Sequence, residues 1–193
     1  MILYHYNIQS YHGDESLLND YDHHGDECKP FVEALRVGVQ AYLDLFEKCE
    51  KHYETTGEDL YGYDFKGAVE GAFEYIRLTE FPDHSVSRVG CVYYCRTQQE
   101  AIDLVKANVL AEGIHSAEEC TILEVEVEDG TVYEYDQHWY DKAWDLLDEK
   151  LDAENLKQVF SWACRYFQGV LSENPDKELL SAGKNRVLRV VEI

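Results

Sequence analysis

At 193 residues, 45% of them hydrophobic, the chain can bury a sizeable core and reads as a single domain spanning 1–193. Thirty-nine acidic residues against seventeen basic ones leave a net charge of −22, which opposes direct binding to nucleic acid or to an anionic membrane surface. There is no apolar run of about 18 residues to span a bilayer, and fifteen tyrosines with three prolines argue against disorder.

Ile2 to Ile8 alternates weakly and reads as a first strand; with no basic residue in it, this start is unlike a signal peptide. Tyr11 to Lys29 is polar and reads as a loop with a helical turn. Within it, His23-His24-Gly25-Asp26-Glu27-Cys28 holds metal-ligand residue types. Adjacent residues chelate one ion poorly, however, and no second cluster has a recognisable spacing, so no metal is expected. Phe31 to Tyr53 reads as one helix, with Phe31, Leu35, Tyr42, Leu45, Phe46 and Cys49 on a broad face. Thr55 to Asp64 breaks the pattern. Phe65 to Glu80 is a second helix that turns Ala68, Ala72, Tyr75 and Ile76 inward, and Phe81-Pro82-Asp83 ends it.

Val89 to Cys95 is a strongly apolar strand. Thr97 caps the next helix, with Glu100 three residues on as its capping-box partner; that helix carries Ala101, Leu104, Val105, Val109 and Leu110. Thr121 to Glu128 alternates, and Asp129-Gly130 predicts a hairpin turn into Thr131 to Tyr135. Trp139 to Leu151 and Glu154 to Gln168 are helices, the second ended by Gly169. Gly183 permits a turn or bulge before a valine-rich strand from Arg186 to Ile193. Strands near both ends, with helices and a hairpin between, describe an α+β fold. Six cysteines without a paired framework read as reduced thiols in a cytoplasmic protein.

No phosphate-cradling glycine loop, dinucleotide fingerprint or nucleophile elbow is present in the sequence. The chemistry instead gathers near the end. Asp176 and Glu178, two apart in an extended segment, face one side at the mouth of a strand. Paired carboxylates there suit a substrate that is cationic or develops positive charge.

Three segments, taken in order, carry a resemblance. They are Tyr4-His5-Tyr6-Asn7 on the first strand, Val92-Tyr93-Tyr94-Cys95-Arg96-Thr97 running from a strand into a helix, and Asp176-Lys-Glu178-Leu-Leu-Ser-Ala-Gly183. The set resembles the ADP-ribosyltransferase fold, in its diphtheria-toxin-like and poly-ADP-ribose-polymerase-like branch. The chain also looks like an uncharacterised bacterial and phage family suspected of sharing that fold, through Phe81-Pro82, Ser87-Arg88, Trp139-Tyr140 and Arg165-Tyr166-Phe167-Gln168-Gly169.

The resemblance implies a split antiparallel β-sheet core, NAD as substrate and transfer of ADP-ribose to a macromolecular acceptor such as a protein. His5 would hydrogen-bond the ribose or carboxamide of NAD. Tyr94 would stack on the nicotinamide, with Tyr93 in its place if the strand is shifted by one. Glu178 would be the catalytic carboxylate, stabilising positive charge as the glycosidic bond breaks. Ser87 and Arg88 would belong to the cofactor site, Arg88 facing the pyrophosphate or, as the alternative, pairing with one of the chain's many carboxylates, and Asp176 would be an accessory acid. Two positions depart from the family. Cys95 stands where serine is common, and Asp176 belongs to an arginine-modifying branch whose first strand carries arginine, not His5. The competing expectation, drawn from the charge, is a non-catalytic acidic interaction protein, an inhibitor or DNA mimic.

Overall fold

The computed structural model describes residues 1–7, 13, 17, 25–83, 85–110 and 120–191. His23 and His24, and most of the polar segment around them, lie outside the described residues. Among those described, the elements run β1 (Ile2–Asn7), α1 (Lys29–Val37), α2 (Val39–Thr56), α3 (Asp64–Glu80), β2 (Val92–Tyr94), α4 (Gln98–Leu104), β3 (Thr121–Val127), β4 (Val132–Asp136), α5 (His138–Glu149), α6 (Ala153–Phe167), β5 (Lys177–Ser181) and β6 (Asn185–Val191). The fold is α+β, with two three-stranded antiparallel sheets ordered β1-β3-β6 and β2-β5-β4. It divides into two compact units. Met1–Asn19, Cys91–Glu134 and Glu178–Ile193 form the first; Asp20–Gly90 and Tyr135–Lys177 form the second.

In the first unit, β3 takes both neighbours through its alternation. Leu123, Val125 and Val127 face a core shared with Leu3, Val92, Tyr94 and Leu179. On the opposite face Glu124 stands across from Arg189 and Glu126 across from Arg186, each pair joined at 2.7 Å. Ile122 shares that face and is buried with Ala101 of α4. Helix α4 starts as its sequence predicts: the Thr97 hydroxyl accepts from Glu100 N at 3.2 Å, and the Glu100 carboxylate accepts from Thr97 N at 3.3 Å.

The Asp129-Gly130 turn forms, with Gly130 at φ 80°, but it is not a hairpin. β1 and β6 occupy both edges of β3, so β4 joins the other sheet. The apolar segment from Val89 likewise differs from expectation: Arg88–Gly90 is a 3-10 turn and only Val92–Tyr94 is strand. Lys177–Ser181 is a strand of its own, apart from the last one.

Gly183 serves by its size, since its φ is not positive. A Cβ there would lie 2.1 Å from the Thr131 hydroxyl oxygen. That closeness seats a relay in which Gly183 N donates to Ser181 Oγ (3.0 Å), Ser181 Oγ to Thr131 Oγ1 (2.9 Å) and Thr131 Oγ1 to the Glu128 carbonyl (2.7 Å).

The second unit packs α1, α2, α3, α5 and α6. Gly38, at φ 152°, splits the predicted first helix into α1 and α2, a conformation that residues with a Cβ rarely adopt. Gly67 and Gly71 on α3 let α1 approach closely, since a Cβ at Gly67 would come within 2.4 Å of the Glu27 carbonyl oxygen. Around this contact Phe31, Tyr42, Phe73 and Tyr166 are buried, and the Tyr42 hydroxyl donates to the Ala68 carbonyl at 2.9 Å. All six cysteines are free thiols. No helix among the described residues is long and apolar enough to cross a membrane.

Candidate active site

In the first unit, one backbone bridge joins β1 to the residue after β2. Tyr4 N donates to the Cys95 carbonyl at 3.0 Å, and Cys95 N to the Tyr4 carbonyl at 2.7 Å. One step along, the His5 and Tyr94 rings meet edge to face, centroids 6.2 Å apart and planes at 65°. Nδ1 of His5 lies 2.8 Å from the Tyr93 carbonyl oxygen. A carbonyl can only accept, so Nδ1 carries the hydrogen and Nε2 of the neutral ring keeps its lone pair. Burial pulls the imidazole pKa below its ordinary 6.5, and the bond to the Tyr93 carbonyl only partly offsets this. At neutral pH, His5 therefore offers one acceptor, Nε2.

The register of β2 with β5 fixes the other two positions. Leu179 stands opposite Tyr94, and Leu180 opposite Tyr93. Paired residues share a face and alternate along each strand, so Glu178 lies on the face of Leu180 and Tyr93, while Tyr94 lies on that of Leu179. Tyr94 is 5% exposed inside the first unit's core. Its hydroxyl is buried without a hydrogen-bond partner among the described residues, and burial raises its pKa. Tyr93 is 36% exposed. Glu178 is buried, at 8%. Sequence order thus gathers His5 with Tyr94, and sheet register puts Glu178 on the side of Tyr93.

Ser87, Arg88 and Asp176 belong to the second unit. The Arg88 guanidinium is buried there. Its Nε donates to Glu70 at 3.3 Å and its Nη1 to the Tyr166 hydroxyl at 3.0 Å, and it lies 3.9 Å over the Tyr140 ring. Of the two roles the sequence leaves to Arg88, the contacts are those of the carboxylate partner, within the unit's core. The Ser87 hydroxyl is buried with no partner among the described residues.

Asp176 precedes β5, so the two-apart alternation that would align it with Glu178 has no strand to act through. Its main chain is tied down instead: Asp176 N donates to Asp136 at 2.9 Å, and its carbonyl accepts from Gln137 N at 2.7 Å. Burial works to raise the pKa of Asp136, but the N–H groups of Ser172, Asp176 and His138 outweigh it and hold the carboxyl below the usual range.

Sequence reading missed the buried acids of α3. Glu70 and Glu74 are 5% and 2% exposed, and the Glu74 carboxylate takes both Nε and Nη2 of Arg77 at 2.8 and 2.7 Å. The signal was there: two glutamates four apart on a helix face packed with Gly67, Ala68, Gly71 and Ala72 require cationic partners. Near them the Cys28 thiol is pushed up to about 12 by burial and by Glu74 and Glu70, which leaves it inert. No group of three metal-ligating side chains occurs among the described residues.

No curated protein matches the chain. Residues 32–193 match the model of a family described as a protein of unknown function, DUF2441, a stretch that begins after His5 and contains Tyr93, Tyr94 and Glu178; the chain belongs to that family.

Proposed function

We propose that the first unit binds NAD and transfers ADP-ribose to a macromolecular acceptor. One observation carries this reading: an exposed tyrosine, Tyr93, shares a sheet face with a buried carboxylate, Glu178, while its carbonyl fixes the tautomer of His5. The Tyr93 ring is exposed and the Tyr94 ring buried, so the stacking role falls to Tyr93, and Tyr94 serves as core. His5, whose ring meets Tyr94 on the other face, reaches this site only through its bond to the Tyr93 carbonyl and so acts by positioning that residue. As the bond between the ribose C1′ and nicotinamide breaks, nicotinamide leaves with the bonding electrons and positive charge grows at C1′. Glu178, in a site poor in water, stabilises that charge; the acceptor's lone pair then forms the new C1′ bond and its proton is released.

The competing reading, an acidic mimic of DNA, requires an array of uncompensated carboxylates. On the outer face of β3 that array is absent, because Glu124 and Glu126 are each neutralised by an arginine of β6.

Calorimetric titration with NAD, paired with labelled NAD in a cell extract, tests the proposal. Glu178→Gln keeps NAD affinity and loses label transfer by about 100-fold or more, because its interaction exists only as the bond breaks. Tyr93→Ala weakens NAD binding by roughly ten-fold. No NAD binding by the wild type at millimolar concentration, or equal labelling by Glu178→Gln, overturns it.

A further inference from the structure

The second unit contains a cavity of about 660 Å³, in the range of small-molecule sites. Its wall carries Trp139, Trp162, Lys142 and Arg165, with Leu171 and Glu173 beside them. In so acidic a chain the charge of this wall is locally inverted. Lys142 Nζ lies 5.4 Å and the Arg165 guanidinium carbon 5.0 Å from the centre of the Trp139 ring, and neither side chain forms an ion pair among the described residues.

Trp139 is a fixed part of this wall, buried at 5% with its indole N–H donating to the Val170 carbonyl at 2.6 Å. Trp162 differs from the other two tryptophans. Trp144 packs against Tyr63, Phe65 and Tyr140, and Trp139 against His138, but Trp162 is half-buried and stacks on no ring among the described residues. Among the described residues, a large flat apolar surface thus stands unstacked beside two cations with no ion-pair partner.

From this juxtaposition we infer that the cavity binds a nucleoside diphosphate, with the base stacked on Trp162, the phosphates held by Lys142 and Arg165, and the ribose hydroxyls donating to Glu173. Each part of the ligand answers a feature of the wall. A planar base covers the indole without needing sequence-specific hydrogen bonds. Arg165 supplies a fork for phosphate oxygens and Lys142 a point charge. Glu173, the one acid on this wall, would repel a bare phosphate cluster, whereas a sugar diol uses it as an acceptor. A polyanion is disfavoured by the remaining charge of the chain, so a free nucleotide is the expected occupant. The inference does not depend on NAD binding in the first unit.

The full chain is titrated with ADP by calorimetry and by quenching of tryptophan emission, with adenosine and inorganic phosphate as separate probes. ADP should bind and quench, and each fragment should bind more weakly than ADP. Trp162→Ala should weaken ADP by about ten-fold or more. Arg165→Ala, which alters an exposed side chain and so keeps the fold, should weaken ADP and phosphate alike by about ten-fold. Tyr93→Ala, which strikes the proposed NAD site, should leave this binding unchanged, so failure of one site does not imply failure of the other. Absence of ADP binding at about 5 mM, or affinities for Trp162→Ala and Arg165→Ala equal to wild type, overturns the inference. So does phosphate binding as tightly as ADP.

Discussion

Arg88→Ala distinguishes most sharply between a ligand-facing arginine and a structural one. Arg88 and Glu70 are 8% and 5% exposed, and the arginine also donates to Tyr166 and covers Tyr140. Truncation leaves the Glu70 carboxylate buried without this counter-charge, a loss of about 3–5 kcal/mol for a broken buried pair. The cation–π contact at 3.9 Å adds up to about 2 kcal/mol when desolvated, but it shares the same group and does not add in full. A total of about 3–5 kcal/mol corresponds to a fall in Tm of roughly 6–20 °C for a chain of this size. Urea denaturation followed by circular dichroism reads it. The double variant Glu70→Gln, Arg88→Met should lose less than Arg88→Ala, because neither charge is then left alone. A stable Arg88→Ala variant, within about 1 kcal/mol of wild type and defective only in NAD affinity, would refute the reasoning and return Arg88 to the cofactor.

Other perturbations have equally definite outcomes. Gly183→Ala drives a Cβ to 2.1 Å from Thr131 Oγ1 and breaks the relay through Ser181, lowering stability by about 1–3 kcal/mol in the same denaturation assay. Thr97→Ala removes one half of the capping box and costs about 1 kcal/mol, whereas Thr97→Ser costs less. His5 should titrate below 6.5 in an NMR experiment. Its folded-state pKa is lowered, so the unfolded chain takes the proton first: the stability contribution is present above 6.5 and is lost as pH falls through the folded value, and His5→Asn should flatten that slope. Tyr94→Ala empties a core position and should cost about 3–5 kcal/mol, while Tyr93→Ala leaves stability within about 1 kcal/mol.

Local rules carried the elements further than their partnerships. Thr97 and Glu100 fix a helix start through bonds within one turn, and the alternation of β3 sorts its own faces, so both are legible from spacing alone. The Asp129-Gly130 pair is a turn for equally local reasons, but whether the strands it joins will pair depends on which distant segments claim their edges. β1 lies 120 positions or so before β3, and β6 about 60 after it; neither separation leaves a local trace. Gly38 was unread because apolar spacing continues across it, and a left-handed break needs only the one residue. Gly183 was noticed for its conformational freedom, although what matters there is the Thr131 side chain brought in from another strand.

The candidate residues follow the same division, and the register of a single strand pair decides which of them share a face. Residue order could nominate His5, a tyrosine of β2 and Glu178, because each stands on a segment recognisable by itself. It could not choose between Tyr93 and Tyr94: a slip of one residue exchanges the two faces of a strand, and both side chains are the same. The pairing of Tyr94 with Leu179 separates them, sending one ring into the core and leaving the other exposed on the face of Glu178. With the β1 bridge at Cys95, His5 Nδ1 lies 2.8 Å from the Tyr93 carbonyl. Arg88 is the opposite case. Its place just before β2 suggested a cofactor contact, yet two glutamates on a distant helix face had already created a demand for buried cations, and the pairing of Arg88 with Glu70 and of Arg77 with Glu74 meets it. In a chain with 39 acids and 17 bases, cations are the scarce residues, and where they go is set first by which carboxylates are buried. Lys142 and Arg165 meet no such demand and lie over the Trp139 ring instead.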